Sequence, residues 1–120
     1  ITGFSMFSVI EKASGRWIGR IGPWRPEGWP GEEVGWGVAA EAQGKGYAKE
    51  AAAAAIDWAF DHLGWTSVIH CIEPSNAPSI ATARALGSTL QRASVDAPAP
   101  LVATWDIYGQ SREHWRARAR

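Results

Sequence analysis

The chain has 120 residues, which suffices for one domain with a hydrophobic core and is too short for two. Its 12 basic and 12 acidic residues balance to zero, which excludes a global positive field that would attract nucleic acid. A single cysteine excludes an internal disulfide framework, and no apolar run reaches the length of a membrane span. We therefore predict one cytoplasmic domain, residues 1–120, that binds neither nucleic acid nor a membrane.

The first third of the chain predicts three strands. Residues 4–11 and 16–21 alternate around a turn and are typical of an antiparallel hairpin. The segment GPWRPEGWPGE, residues 22–32, holds three prolines and three glycines and predicts a loop. Residues 33–39 follow as a third strand.

The middle of the chain predicts a strand, a helix and a second, parallel strand. Residues 47–63 form the helix, because apolar side chains recur on one face at helical spacing. Those side chains are Ala48, Ala52, Ala55, Ile56, Ala59, Phe60 and Leu63. TSVIHCIE, residues 66–73, is a short and largely apolar strand, and a right-handed crossover would make it parallel to the third strand.

The last part of the chain predicts a second helix and two strands. Asn76 is the predicted N-cap of the helix, Pro78 lies in its first turn, and Gly87 ends it. Residues 88–94 and 101–109 are predicted to pair antiparallel. The predicted fold is α/β (α+β): a mixed, mostly antiparallel twisted sheet with a central parallel strand pair and flanking helices.

A glycine-containing loop, AQGKGYAKEA at residues 42–51, joins the third strand to the first helix. Gly44 and Gly46 are followed by Tyr47 and Ala48, so neither the Walker pattern nor the dinucleotide fingerprint fits. A loop at the start of a helix presents free backbone N–H groups and suits a phosphate or pyrophosphate. The glycines are equally typical of a tight turn, so the loop by itself leaves both interpretations open.

Two segments resemble the GNAT acetyltransferases. Gln43-Gly44-Lys45-Gly46-Tyr47-Ala48 matches the Q/R-x-x-G-x-G/A loop with which that family binds acetyl-coenzyme A. Asn76 with Ser79 matches the family's second segment, N-x-x-S, which a glycine closes. The phrases GRWIGRIG, EEVGWGVA and GYAKEA resemble in particular the RimJ/RimL branch, which acetylates protein N-termini and other small amines.

The resemblance extends from the first hairpin to about Trp105 and implies a fold, a cosubstrate and an acceptor. The cosubstrate is acetyl-coenzyme A and the acceptor is an amine. GNAT domains usually begin with a strand and two helices that form much of the acceptor pocket, and we expect this chain to lack them. The expected cofactor-binding residues are Val38, Ala39, Gln43, Gly44, Lys45, Gly46, Tyr47, Ala48, Asn76 and Ser79.

The third strand supplies the predicted general base. Its alternation places Glu33, Gly35, Gly37 and Ala39 on one face, a track that is nearly free of side chains. Such a track would admit the pantetheine arm and leave Glu33 near the amine, where it would act as base through a water. Three alternatives stay open: the glycines mark bulges or helix packing, Glu33 is a solvated strand-end carboxylate, or Glu32 or Glu41 is the base.

The other half of the predicted reaction concerns the thioester. Backbone amides around Val38 and Ala39 would polarise its carbonyl. Many GNAT enzymes protonate the departing thiolate with a tyrosine seven residues after the asparagine, but Ala83 stands there in this chain. Ser79 matches the serine of the RimL-like branch and is expected to hydrogen-bond the sulfur, while Tyr108 is expected to serve packing.

Three further residue types leave choices open. Trp24, Trp29 and Trp36 are predicted to line an acceptor pocket, cover the core or form a homodimer interface. Cys71 lies in an apolar strand and is predicted to be a buried structural thiol, which favours direct attack in a ternary complex. The histidines share no metal-ligand spacing, so no metal is expected.

The leading hypothesis is thus an acetyl-coenzyme A-dependent N-acetyltransferase. A catalytically silent acyl-coenzyme A-binding module is the first alternative, because a fold and a cofactor loop do not guarantee turnover. A nucleotide-binding domain is the weaker alternative.

Overall fold

A computed structural model describes residues 7–10, 12, 14–25, 28–38 and 46–118. These contain β1 (Phe7–Ile10), β2 (Trp17–Trp24), β3 (Glu33–Val38), α1 (Tyr47–His62), β4 (Ser67–Ile72), α2 (Ala77–Ala85), β5 (Thr89–Asp96), β6 (Thr104–Ser111) and α3 (Arg112–Ala117). The strands form one sheet in the order β1-β2-β3-β4-β6-β5. Its described neighbours are antiparallel except β3 and β4, which are parallel. The predicted mixed sheet with a central parallel pair is confirmed.

Strand boundaries differ from the prediction in β2, β4, β5 and β6, and β4 is one residue shorter than predicted at each end. Residues 22–24 were predicted as a loop, but they extend β2 and pair with residues 33–35 of β3. That prediction was wrong because proline lacks a backbone N–H but keeps a carbonyl and a strand-compatible backbone, so Pro23 fits at a strand end. Both β5 and β6 start and end later than predicted. Residues 4–6, 11 and 39 of the predicted strands lie outside the described residues.

The main hydrophobic core lies between α1 and one face of the sheet. The predicted apolar face of α1 is confirmed, with Ala48 and Leu63 half-buried at its two ends. Fully buried on this helix are Ala52, Ala55, Ile56, Ala59 and Phe60, and they pack with Ile21, Val34, Trp65, Val68, Leu86 and Trp115. Removing this apolar surface from water is the main contribution to stability, at about 25 cal/mol per Å².

Helix α3 closes the core at the far end of the described chain. Trp115 is buried, and its Nε1 donates a hydrogen bond to Asp57 Oδ1 of α1 at 2.7 Å. Two basic side chains at the end of this helix stay at the surface: Arg116 pairs with Asp61 at 3.0 Å, and the Arg118 guanidinium carbon lies 3.4 Å from the centre of the Trp115 ring. Arg120 lies outside the described residues.

Helix α2 begins and ends as predicted. Asn76 is its N-cap and accepts a hydrogen bond from the Ser79 backbone N–H at 3.2 Å. Pro78 lies in the first turn, where a missing N–H costs nothing. Gly87 ends the helix with a φ of 92°, a conformation that favours glycine. In the part of the chain described here, no helix is both long enough and apolar enough to cross a membrane.

Candidate active site

The two parallel strands separate soon after they meet. In the described residues, β3 and β4 pair at one position, Glu33 with Ile69. There the Ile69 N–H donates a hydrogen bond to the Glu32 carbonyl at 2.9 Å. Beyond this point a cleft of about 340 Å³ opens between the strands. The start of α2, the segment before β3 and the first residues of β6 complete its walls.

Glu33 lies inside this cleft and is 5% exposed. Its Oε1 accepts a hydrogen bond from Trp29 Nε1 at 2.8 Å, and its Oε2 accepts one from the Cys71 backbone N–H at 2.7 Å. The interpretation of Glu33 as a solvated strand-end carboxylate is therefore wrong. Of the alternative bases, Glu32 is half-buried and Glu41 lies outside the described residues.

Cys71 also lines the cleft, where it is half-buried rather than fully enclosed. Burial, together with the negative charge of Glu33, raises the pKa of the Cys71 thiol well above its ordinary value. The thiol is therefore protonated near neutral pH, and a protonated thiol is a poor nucleophile. Burial is the larger of the two causes, and the Glu33 charge adds to it.

His70 is a cleft residue to which the sequence assigned no role beyond excluding a metal site. Its Nδ1 donates a hydrogen bond to the Val34 carbonyl at 2.8 Å, and its Nε2 lies 2.9 Å from Ser88 Oγ. Burial lowers the pKa of His70 to about 4, so the ring is neutral at physiological pH. The alternation of β4 could have indicated that His70 is buried, because Val68, His70 and Ile72 share the buried face of the strand.

Tryptophan side chains form much of the remaining wall. The ring centroids of Trp29 and Trp105 lie 5.0 Å apart, and Trp36 packs against His70 with a centroid distance of 4.8 Å. All three tryptophans line the cleft. The sequence analysis predicted a role for Trp29 and Trp36 but assigned none to Trp105, which lies in a predicted strand. The side chain of Trp24 lies outside the described part.

The predicted cofactor-binding residues are described in part. Asn76 and Ser79 both line the cleft. Gly46 is the N-cap of α1 with a φ of 79°, and Tyr47 and Ala48 form its first turn. Ala39, Gln43, Gly44 and Lys45 lie outside the described residues, and so does the Val38 side chain. Within the described ranges, no three His, Cys, Asp or Glu side chains come together to hold a metal ion.

Residues 2–89 match the model of a known family, described as the acetyltransferase (GNAT) domain. The chain therefore belongs to the GNAT family, and the resemblance found in its sequence is confirmed at that level. A curated relative, an uncharacterized protein of Bacillus subtilis (strain 168) called YkkB, is 32% identical over 87 residues. The match covers 71% of this chain and 51% of the relative, so the chain spans about half of that protein's length.

Two solved structures illustrate the fold of the family. An acetyltransferase from Agrobacterium tumefaciens str. C58 is 33% identical with a TM-score of 0.69, over 82% of this chain and 56% of that one. A ribosomal-protein-S5-alanine acetyltransferase from Vibrio fischeri is 22% identical with a TM-score of 0.74, over 92% of this chain and 62% of that one. The second likeness concerns the fold alone.

Proposed function

We propose that this chain transfers an acetyl group from acetyl-coenzyme A to a primary amine by direct attack in a ternary complex. The observation that carries the proposal is the cleft between β3 and β4, which encloses the Glu33 carboxylate in a domain of the GNAT family. Acetyl-coenzyme A supplies an activated acetyl thioester. The chain has to bind it, position the amine and accept a proton.

The cleft fits an extended arm that ends in a pyrophosphate. Gly35 lines it, and a side chain built on Gly37 would meet no described atom within 4 Å. Gly46 starts α1 at the positive end of the helix, and a side chain built on it would meet no atom of the described residues within 4 Å. We infer that the loop of residues 43–48 holds the pyrophosphate, with Asn76 and Ser79 on the opposite wall.

The β3 backbone suits the thioester carbonyl. Strand alternation directs the N–H groups of Trp36 and Val38 to the same edge as the Val34 carbonyl, which faces β4. The Val38 N–H lies along that edge and is a donor we propose for the carbonyl oxygen as it gains charge. The N–H of the following Ala39, which lies outside the described residues, is the second proposed donor.

Glu33 is the proposed base. An amine with a pKa of about 8 is mostly protonated near neutral pH and has to lose a proton before it attacks. The Glu33 carboxylate is the acidic group that the cleft encloses most fully, and it accepts protons directly or through a water. On the sulfur side, the Ser79 hydroxyl is the proposed hydrogen-bond donor, since Ala83 offers none. The protonated Cys71 thiol is not expected to carry the acetyl group.

The acceptor is the finer part of the proposal. A protein N-terminus or a small-molecule amine, as in the RimJ/RimL-like branch, agrees with the phrases noted in the sequence and with the fold of the Vibrio fischeri enzyme. Trp29 and Trp105 form an apolar wall beside Glu33, which suits an amine carried on an apolar group. A single domain over residues 1–120, a cytoplasmic location and a homodimer stay predictions.

The test is release of free thiol from acetyl-coenzyme A during incubation with a panel of amines and N-terminal peptides. Calorimetry with coenzyme A runs in parallel on the same preparation. We expect binding and acceptor-dependent release. Absence of both would contradict the proposal, and competition by ATP at a similar affinity would point to a nucleotide-binding domain.

Two observations favour a second candidate, the silent acyl-coenzyme A-binding module. Both Glu33 oxygens already accept hydrogen bonds, and the position of the usual tyrosine is the fully buried Ala83. Binding of coenzyme A without thiol release for any acceptor would support this candidate over the enzyme.

A further inference from the structure

The separation of β3 from β4 coincides with an exchange of hydrogen-bond partners. In a regular parallel pair the bonds are evenly spaced, so the bond from the Ile69 N–H to the Glu32 carbonyl should be followed by one from the Cys71 N–H to the Val34 carbonyl. The pairing instead stops at Glu33 and Ile69. The Cys71 N–H donates to the Glu33 carboxylate at 2.7 Å, and the Val34 carbonyl accepts from His70 Nδ1 at 2.8 Å.

Each of these two backbone groups is thus satisfied by a side chain of the opposite strand, and in the described residues no backbone–backbone pairing joins β3 and β4 beyond Glu33 and Ile69. A buried carbonyl or N–H without a partner is destabilising, so strands that separate in this way need such substitute partners. The imidazole also occupies space: His70 is 1% exposed and packs against Trp36. A ring between the strands keeps the Val34 carbonyl out of reach of the β4 backbone.

The hydrogen-bond partners of His70 determine which of its ring nitrogens carries the proton. The Val34 carbonyl can only accept, so Nδ1 carries the proton and Nε2 accepts from the Ser88 hydroxyl at 2.9 Å. Ser88 Oγ in turn accepts from Gln110 Nε2 at 2.9 Å, and Gln110 Nε2 also donates to the Leu86 carbonyl at 3.0 Å. This chain of buried groups orients the imidazole toward β3.

We propose that His70 is a positioning residue that holds β3 and β4 apart by occupying the Val34 carbonyl, and so keeps the cleft open for acetyl-coenzyme A. The proposal rests on the proposed function, since it assigns the cleft to that cosubstrate. His70 acts through the backbone of β3, beside the glycine track, and does not itself transfer a proton.

A matched pair of variants tests the contact. His70→Asn places an amide donor where Nδ1 lies and retains the bond to Val34, whereas His70→Gln places its amide near Nε2 and loses that bond. We expect His70→Asn to bind coenzyme A within about threefold of the unaltered chain and His70→Gln to bind at least about tenfold more weakly by calorimetry. Ser88→Ala removes the second partner of the ring and should resemble His70→Asn. In turnover, His70→Gln should raise the KM for acetyl-coenzyme A more than it lowers kcat.

Equal affinity of the Asn and Gln variants would overturn the proposal, as would a larger loss in His70→Asn. A second measurement needs no variant: nitrogen NMR of the unaltered protein should show the proton of His70 on Nδ1, and a proton on Nε2 would overturn the proposal even if a variant failed to fold. Failure of the unaltered chain to bind coenzyme A would instead refute the proposed function, before any variant is compared.

Discussion

Strand β4 treats its two neighbours differently. Toward β6 it pairs at six consecutive positions, from Ser67 with Ser111 to Ile72 with Asp106. Toward β3 the described residues pair once, at Glu33 and Ile69. The same six residues therefore form a closed edge on one side and an open edge on the other. A strand that is fully paired on one side can serve as a firm wall for a cleft on the other, because its own backbone stays ordered.

The largest effect is expected where the open edge leads into α1. Gly46→Glu places a negative charge at the proposed pyrophosphate site and should weaken coenzyme A binding about a thousandfold, or about 4 kcal/mol. Gly46→Ala is the control, since it introduces the same backbone strain at a φ of 79° without the charge. Calorimetry should separate the two variants by at least about tenfold. Similar affinities would remove the loop from the site.

A substitution at the closed edge, where β4 pairs with β6, should change the stability of the fold. A side chain built on Gly109 would lie 2.5 Å from the Val68 carbonyl oxygen, a backbone atom of β4. Gly109→Ala should therefore lower the free energy of unfolding by about 3 kcal/mol in urea titrations. Gly37→Ala on β3 is the matched control, because no atom of the described residues would lie within 4 Å of the added side chain. Equal losses in the free energy of unfolding would mean that the two edges of β4 do not differ in how tightly they are packed.

In the cleft beside the open edge, Glu33→Gln should reduce kcat about a hundredfold near neutral pH. The kcat of this variant should recover partly as the pH rises, because the free amine then exists without the base. Gln also sets an N–H donor against the Trp29 or Cys71 N–H, so unfolding and coenzyme A affinity have to be measured in the same variant. Ser79→Ala should lower kcat by about threefold at most, since a thiolate with a parent pKa of about 8.5 leaves readily. A larger loss in the serine variant would reverse the assigned roles.

The pH dependence of stability should report on His70. The pKa of this residue is about 4 in the folded chain and 6.5 ordinarily. Between these values the unfolded chain binds a proton that the folded chain does not, so stability falls as the pH drops through this window. We expect a loss of about 2 kcal/mol between about pH 7.5 and pH 5. His70→Asn should abolish this part of the loss, and an unchanged pH dependence in that variant would contradict it.

The smallest effect concerns helix α2, which flanks the open edge. Asn76→Ala removes an N-cap bond and should cost about 1 kcal/mol of stability. Ser111→Ala removes the corresponding bond to the His114 N–H at the start of α3, outside the cleft, at a similar cost. Coenzyme A affinity should fall in the Asn76 variant alone. If both variants bind equally, Asn76 serves the helix and not the cosubstrate.

The sequence predicted the helices and the strand order around the parallel pair better than it predicted the cleft between β3 and β4. The apolar face of α1 and the Asn76 cap follow from spacing and local hydrogen bonding, and they are confirmed. The parallel pair follows from the strand-helix-strand order. These features depend on near neighbours in the chain, so residue patterns are enough to predict them.

The open edge depends on contacts that no local pattern encodes. His70 bonds a carbonyl 36 positions away, and Cys71 donates to a carboxylate 38 positions away. A glutamate at the start of a strand is usually solvated, and nothing in EEVGWGVA indicates that Glu33 is enclosed by Trp29 and the β4 backbone. Trp105 reaches the cleft because β6 lies beside β4, which depends on the order of strands in the sheet.

The pairing of β4 with β6 also sets an order of events on the ribosome. Strand β4 leaves the exit tunnel well before β6, whose last paired residue is Ser111. Until β6 emerges, the described residues of β4 can pair at one position only, with β3. Ser88 and Gln110, which orient His70, also arrive after it. Domains form largely as their chain emerges, and contacts distant in sequence form late. The cleft proposed to bind acetyl-coenzyme A should therefore be among the last parts of a nascent chain to take shape, and truncated translation products ending before residue 104 should lack it.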